Sequence, residues 1–305
     1  MKKLALVFAL VIVILPMLAG CQTAPTEGNV TDDLGRSVQI QGIPQRIISL
    51  APSNTEIVYA LGLEDRLIGV TTYCNYPAAA QEKPAVSEYS NVDIEKIVAL
   101  QPDLVLADSI HKIDVIPALE RMNIPVIALV SPTLEKLISN IALVGQICGQ
   151  DEAAKSLNQS LQDRIETVAG QTRSMPDDEK QRVFFVTWHD PLWTVGSGTM
   201  INDLIEKAGG LNIAADLEGN QTLDLETVIQ RNPQVIFVLS SMGDQDTSYN
   251  YILNEPRFQA TEALKNSLVF RMDPDIFGRT APRIVDGLEE MAQDIHPEVI
   301  TTGAR

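Results

Sequence analysis

The chain predicts an α/β protein of two Rossmann-like lobes, each built on a central parallel sheet, joined by one long rigid α-helix with a ligand cleft between the lobes. Three observations carry this. A motif occurs twice: Asp93-Ile94-Glu95 leads through Pro102 into the apolar run Leu104 to Ala107, and Asp224-Leu225-Glu226 leads through Pro233 into Val235 to Leu239. Asp, Glu and Pro all recur at one offset of 131 residues, 224 minus 93. Short β-branched runs alternate with helical patterns on either side, the arrangement that builds parallel sheet from βαβ units. Between the copies, Asp151 to Gln171 has no Pro and no Gly before Gly170, and Ala154, Leu157, Leu161, Ile165 and Val168 recur at three- and four-residue steps, an amphipathic helix. At 1.5 Å per residue, ~20 residues reach roughly 30 Å, enough to span two lobes.

Taken in order, residues 1–20 are a secretion signal. Lys2 and Lys3 precede an uncharged run from Leu4 to Met17, and Leu18-Ala19-Gly20-Cys21 follows; a cationic start, an apolar middle and small residues at the cut make the pattern. The run is short for a membrane span, which needs about 20 apolar residues. Leu-Ala-Gly-Cys resembles the bacterial lipobox, which implies lipidation at Cys21; a plain signal peptide or an uncleaved anchor are the alternatives, and each puts the body outside the cytoplasmic membrane. Residues 21–45 are lipid tether and lead-in, the polar stretch Gln22 to Asn29 with Pro25 and Gly28 reading as flexible.

The first lobe, 46–150, holds strand-like runs at Ile47 to Leu50, Leu67 to Val70, Leu104 to Ala107 and Val126 to Val130. Ser53-Asn54-Thr55-Glu56 has the spacing of a capping box, so a helix is expected to start there and to turn Ile57, Val58, Ala60 and Leu61 inward. The inter-lobe helix occupies 151–172. A polar break around Met175-Pro176-Asp177-Asp178 precedes the second lobe, 180–305, with strands at Val183 to Val186, Val235 to Leu239 and Leu268 to Phe270, and a helix from about Met200 to Ala208 stopped by Gly209-Gly210. Cys74 and Cys148 are the remaining thiols; an oxidising compartment permits a bridge, whereas the apolar helical setting of Cys148 favours a small buried hydrophobe.

In open α/β sheets ligands bind beyond the carboxyl ends of the strands. The residues that follow the strands here include Tyr73, Tyr76, Asp108, Ser240-Ser241-Met242, Phe277 and Arg279, together with Trp188, His189 and Trp193, and Tyr89 lies nearby. Phe, Trp and Tyr number only 7, 2 and 6 in 305 residues, so their gathering in these loops points to a flat-walled, mostly apolar cleft with few polar anchors; packing at loop bases is the plainer alternative. Arg279 is a candidate for neutralising a ligand carboxylate or phosphate.

Arg46-Ile47-Ile48-Ser49-Leu50-Ala51-Pro52-Ser53-Asn54-Thr55-Glu56, Gly69-Val70 through Tyr76-Pro77, Asp93 to Val105, and Pro282-Arg283-Ile284-Val285-Asp286-Gly287-Leu288 resemble the helical-backbone (class III) substrate-binding proteins of ABC importers, most of all the cobalamin-binding ones. The resemblance implies an extracytoplasmic, membrane-anchored lipoprotein without intrinsic cofactor, whose ligand is a metal chelate: a cobalt corrinoid, or alternatively a ferric siderophore or haem. It implies that Glu95 and Glu226 at the lobe tips pair with arginines of a permease dimer that carries ATPase subunits. From the residues alone, Asp93 and Asp224 read as helix N-caps and the two glutamates as favouring the positive helix end; the two roles are compatible. Asp108 and Asn220 stand where cobalamin-binding relatives can have tryptophan, so the ligand stays open. For haem, Tyr73, Tyr89 or His189 are the axial candidates.

Other classes fit poorly. The formal charge of −17, from 23 cationic and 40 anionic side chains, argues against nucleic acid, which needs clustered Lys and Arg. Three histidines, His111, His189 and His296, do not make a direct metal-ion receptor. Ser197 between Gly196 and Gly198 lacks nucleophile-elbow spacing, and His189-Asp190 is no triad, so no enzyme is expected. A surface sensor or adhesin on the same fold is the remaining alternative.

Overall fold

The computed structural model describes residues 28–240 and 246–298. The signal segment, Cys21, and the loop residues Ser241 and Met242 lie outside the described residues. The first elements are a hairpin of β1 (Gly28–Thr31) and β2 (Ser37–Ile40), paired antiparallel. Gly28 and Asn29, expected in the flexible lead-in, instead pair with Ile40 and Gln39. Asp32 in the hairpin turn fastens it to the body. Its side chain accepts from the backbone of Leu34, Arg36 and Ala128 and pairs with Arg36.

The first lobe runs β3 (Ile47–Ser49), α1 (Pro52–Ala60), β4 (Leu67–Thr71), β5 (Ala85–Ser87), α2 (Ile94–Ala99), β6 (Leu104–Ala107), α3 (Val115–Glu120) and β7 (Val126–Ala128). All five strands are parallel, in the order β5-β4-β3-β6-β7. Buried on both faces, β6 and β7 have no exposed residue, which is why they read as unbroken apolar runs. The capping box expected at Ser53 does not form: the cap of α1 lies two residues earlier, at Ala51, which makes no side-chain bond, and Pro52 opens the first turn. A proline at that position lacks only an N–H that would be orphaned anyway. Glu56 is thereby released for another task, described below. Ile57, Val58 and Leu61 are buried as expected, but Ala60 is exposed.

Helices α4 (Leu134–Cys148) and α5 (Asp151–Thr172) follow, separated by Gly149, whose φ of 66° closes α4 in the left-handed region. The second lobe contains β8 (Gln181–His189), β9 (Leu192–Val195), α6 (Met200–Lys207), β10 (Gly210–Asn212), β11 (Asn220–Thr222), α7 (Leu225–Arg231), β12 (Val235–Leu239), α8 (Thr247–Asn254), α9 (Glu262–Lys265), β13 (Val269–Met272), α10 (Pro274–Phe277) and α11 (Ile284–Ile295). Strands β10, β8, β12 and β13 are parallel; β9 and β11 add an antiparallel edge, so the second sheet is mixed rather than wholly parallel. The turn after His189 sends the chain straight back as β9 instead of into a helix.

One buried core runs through both lobes, from Ile47 and Leu104 in the first sheet, across Ile141, Val144, Leu161 and Val168 of α4 and α5, to Phe185, Leu204 and Leu288 in the second. Helix α5 is thus a packed spine. Arg164 binds Glu289 through Nε at 2.8 Å and Nη2 at 2.7 Å and Asp286 at 2.6 Å, tying α5 to α11, while Thr172 Oγ1 donates to the Lys207 carbonyl at 2.8 Å at the end of α6. Cys74 and Cys148 are both buried and free. The Cys74 sulfur lies against the Thr55 and Thr71 hydroxyls at 3.1 and 3.2 Å, and burial pushes the Cys148 thiol up to about 12.

Candidate ligand cleft

A cavity of about 490 Å³ opens between the lobes. Its first wall is delivered by successive carboxyl ends of the first sheet: Ala51 to Ser53 after β3, Tyr73 after β4, Tyr89 and Ser90 after β5, Asp108 after β6. Leu239 at the end of β12, with Pro274 and Gly278 to Thr280 after β13, forms the other wall. Parallel strands end on one side by construction, so residues far apart in sequence converge there.

Between the walls runs a seam of ion pairs. Glu56, 2% exposed at its side chain, accepts a two-pronged contact from Arg283, Nε to Oε2 at 2.8 Å and Nη2 to Oε1 at 2.7 Å. Such forks fix geometry as well as contribute energy, and the bond to Glu56 holds the Arg283 guanidinium above its ordinary range. Arg279, also buried, lies 3.6 Å from Glu56, binds Asp275 at 2.5 Å and donates to Asn75 Oδ1 at 2.6 Å and the Tyr73 carbonyl at 3.4 Å. Asn75 completes the link by donating to Asp275 at 2.9 Å. The tie between α1 and the start of α11, 227 positions apart, has no local signature in the sequence.

Each residue singled out by sequence has a definite place. Tyr73, Tyr89, Asp108 and Arg279 line the cavity. Tyr89 donates from its hydroxyl to Asp108 Oδ2 at 3.2 Å; burial, then the charge and hydrogen bond of Asp108, drive the phenol up, so it stays a donor. Arg279 faces the space with its charge already engaged by Asp275, which weakens it as a counter-ion for a ligand carboxylate. Tyr76 lies beside the seam, its ring 3.7 Å from the Arg283 guanidinium. Phe277 is not a wall: it is 5% exposed and packs in the core against Phe185, ring centroids 6.4 Å apart. The short helix α10 turns its ring inward, against the space left by Gly287, where a Cβ would stand 3.0 Å from the ring.

Trp188, His189 and Trp193 form a separate surface group on the β8–β9 hairpin, and none lines the cavity. The two indoles are cross-strand neighbours, 44% and 38% exposed. Trp188 Nε1 donates to the Asp190 carbonyl at 2.8 Å, while His189 sits against Trp188 and Tyr251 with centroids at 4.8 and 5.2 Å and binds Ser248 Oγ at 3.0 Å. Sequence reasoning missed Ser90, Leu239 and Thr280 as lining residues, and His111, which clamps the Tyr89 loop: Nε2 lies 2.9 Å from the Tyr89 carbonyl and Nδ1 accepts from the Asp108 amide at 3.0 Å. Among the described residues no group of three or more His, Cys, Asp or Glu could hold a metal ion, and no helix is long and apolar enough to cross a membrane.

The repeated motif forms equivalent helix starts. Asp93 caps α2 by accepting from the Lys96 amide at 3.1 Å, and Asp224 caps α7 by accepting from Thr227 at 2.8 Å. Glu95 and Glu226 in the first turns are exposed, the latter with only a loose 3.5 Å contact to Arg257. Each helix crosses back before a central parallel strand, β6 or β12, so its N-terminus lies toward the carboxyl-end side of its sheet.

Residues 47–276 match the family described as periplasmic binding protein. The chain belongs to the periplasmic binding protein family. Among its relatives is an uncharacterized ABC transporter substrate-binding lipoprotein, YvrC, of Bacillus subtilis, 29% identical, the alignment covering 98% of this chain and 99% of that protein. A vitamin B12-binding protein of Vibrio parahaemolyticus is 30% identical over 82% of this chain and 88% of its own. A solved periplasmic heme-binding protein from Pseudomonas aeruginosa superposes with a TM-score of 0.75 at 25% identity, covering 86% of this chain and 96% of that one.

Proposed function

We propose that this chain is the extracytoplasmic substrate-binding lipoprotein of an ABC importer, capturing cobalamin or a related corrinoid and delivering it to a permease dimer with its ATPase subunits. The observation that carries the reading is the cavity between the carboxyl ends of two sheets, walled by Tyr73 and Tyr89, in a periplasmic binding protein similar to vitamin B12-binding ones. Tyrosine faces give a planar chelate an apolar surface while their hydroxyls keep polar partners. Lipidation of Cys21 anchors the body at the membrane; C21S is expected to abolish incorporation of labelled palmitate.

Glu95 and Glu226 serve as docking acids in this reading, each exposed at the head of an equivalent helix and free to take an arginine fork from one permease subunit. Replacing both with Ala is expected to abolish uptake while ligand affinity stays within about twofold; a large affinity loss would overturn the docking role. Calorimetric titration with cobalamin, cobinamide, haem and a ferric hydroxamate tests the cargo. Binding of the hydroxamate alone would refute a corrinoid.

A haem or ferric siderophore importer is the second reading, favoured by the likeness to the heme-binding protein. Tyr73, 46% exposed at the cavity, is its best axial ligand, since His189 is engaged elsewhere. A sensor or adhesin on this fold would lack neighbouring permease and ATPase genes.

A further inference from the structure

Only two of the described cavity-lining side chains carry charge, Asp108 and Arg279, and they differ in how that charge is used. Arg279 is spent on the seam: Asp275 at 2.5 Å, Glu56 at 3.6 Å and the Asn75 oxygen at 2.6 Å occupy it from the protein side. Asp108 has hydrogen bonds but no cationic partner among the described residues. Oδ2 accepts from Tyr89, and Oδ1 accepts from both the amide and the hydroxyl of Ser109. These donors hold the carboxylate in place without cancelling its charge.

His111 makes that placement rigid. Because its Nδ1 accepts from the Asp108 amide, its Nε2 bears the proton and donates to the Tyr89 carbonyl, so one buried imidazole locks both the turn that presents Asp108 and the loop that presents Tyr89. The rings of Tyr89 and His111 meet edge to face with centroids 5.9 Å apart. A fixed, half-buried anion in a cleft whose one other charge among the described residues is neutralised repels anionic ligands more strongly than it would in bulk water. It also offers acceptor lone pairs to N–H donors.

We propose that Asp108 is the specificity-determining residue of the cleft, selecting uncharged or cationic chelates that carry amide N–H donors and rejecting chelates that carry carboxylates. The selection rests on the importer reading above. Among its candidate cargoes, a corrin rimmed with carboxamides fits this electrostatic frame, whereas the two propionates of haem face an anion with no free cation among the described lining residues to answer them.

Titration of the wild-type protein and of D108N with monocationic aquocyanocobinamide, uncharged cyanocobalamin and haem tests this, with thermal unfolding of both proteins as a control on folding. Asparagine keeps an acceptor for Tyr89 and removes the charge. The ratio of cobinamide to haem affinity is expected to fall at least tenfold in D108N, and the wild-type ratio to shrink as salt rises from 0.05 to 0.5 M, because added ions screen a charge effect and leave a shape effect alone. If chelates bind both proteins and the ratio stays within twofold, charge selection by Asp108 is overturned while the importer reading stands. Should no chelate bind the wild-type protein, the cargo reading falls and takes the selection with it.

Discussion

Tyr89 shows how a single residue in the cleft gains its character from neighbours. Its ring lines the cavity, its hydroxyl is committed to Asp108 and its carbonyl to His111. Y89F removes one hydrogen bond to a charged group, worth about 1.5–3 kcal/mol, and leaves the aromatic wall; stability is expected to fall by an amount of that order, read as a lower unfolding midpoint, and affinity for an amide-bearing chelate to drop roughly tenfold as Asp108 loses its support, measured by calorimetry. Asp294 makes a different case. Burial, then the charge of Glu290, raises its carboxyl from 3.8 to about 6. A raised carboxylate means the folded state holds a proton that the unfolded state has already released, so this group's contribution to stability falls as pH rises from about 4 to about 6. D294N removes that loss and is expected to raise stability at pH 7 by about 1 kcal/mol after allowance for solvent screening, while leaving stability at pH 3.5 nearly unchanged; urea unfolding across that range checks both. Residue types were informative about loops and silent about orientation: Phe277 looked like Tyr73 in sequence, and only the inward turn of α10 separates core from cleft.

At the scale of the element, caps and spacing were legible because their causes are local. Asp93 and Asp224 cap their helices as their positions suggest, and the 22 residues of α5 match the periodic run. Removing either cap with Ala is expected to cost about 1 kcal/mol. Where a distant partner competes, local reading fails: Glu56 has the spacing of a capping box, but a half-buried guanidinium 227 positions away claims it. The same holds for the antiparallel strands β9 and β11, short and partly polar, whose pairing depends on a neighbour rather than on their own pattern. The crossing of α4 and α5 is equally non-local. A Cβ on Gly145 would stand 2.4 Å from the Ala154 Cβ, so G145A must push the helices apart and is expected to destabilise by about 2 kcal/mol, read as a lower urea midpoint with unchanged slope.

For the whole molecule, the shared core and the seam set how the lobes move. Opening the cleft widely would break the Glu56–Arg283 fork and the Asn75–Asp275 bond, which join the two lobes, whereas the α5 contacts with α6 and α11 hold the spine to the second lobe. E56A leaves Arg283 and Arg279 short of a buried counter-charge and is expected to cost about 3–5 kcal/mol, visible as a large fall in unfolding midpoint. E56Q, which keeps an acceptor, is expected to cost less.

By itself the sequence determined two α/β lobes, the helix between them, the paired acidic helix starts and most of the strands, because strand alternation, amphipathic period and capping residues act over a few neighbours. Tertiary structure alone decided that Arg279 is spent on Asp275, that Phe277 faces inward, that the tryptophans sit on a hairpin apart from the cavity, and that Asp108 at its wall meets hydrogen-bond donors but no cation among the described residues. Each of those depends on which groups meet across hundreds of residues, and charge or burial at a site is a property of the meeting rather than of the residue.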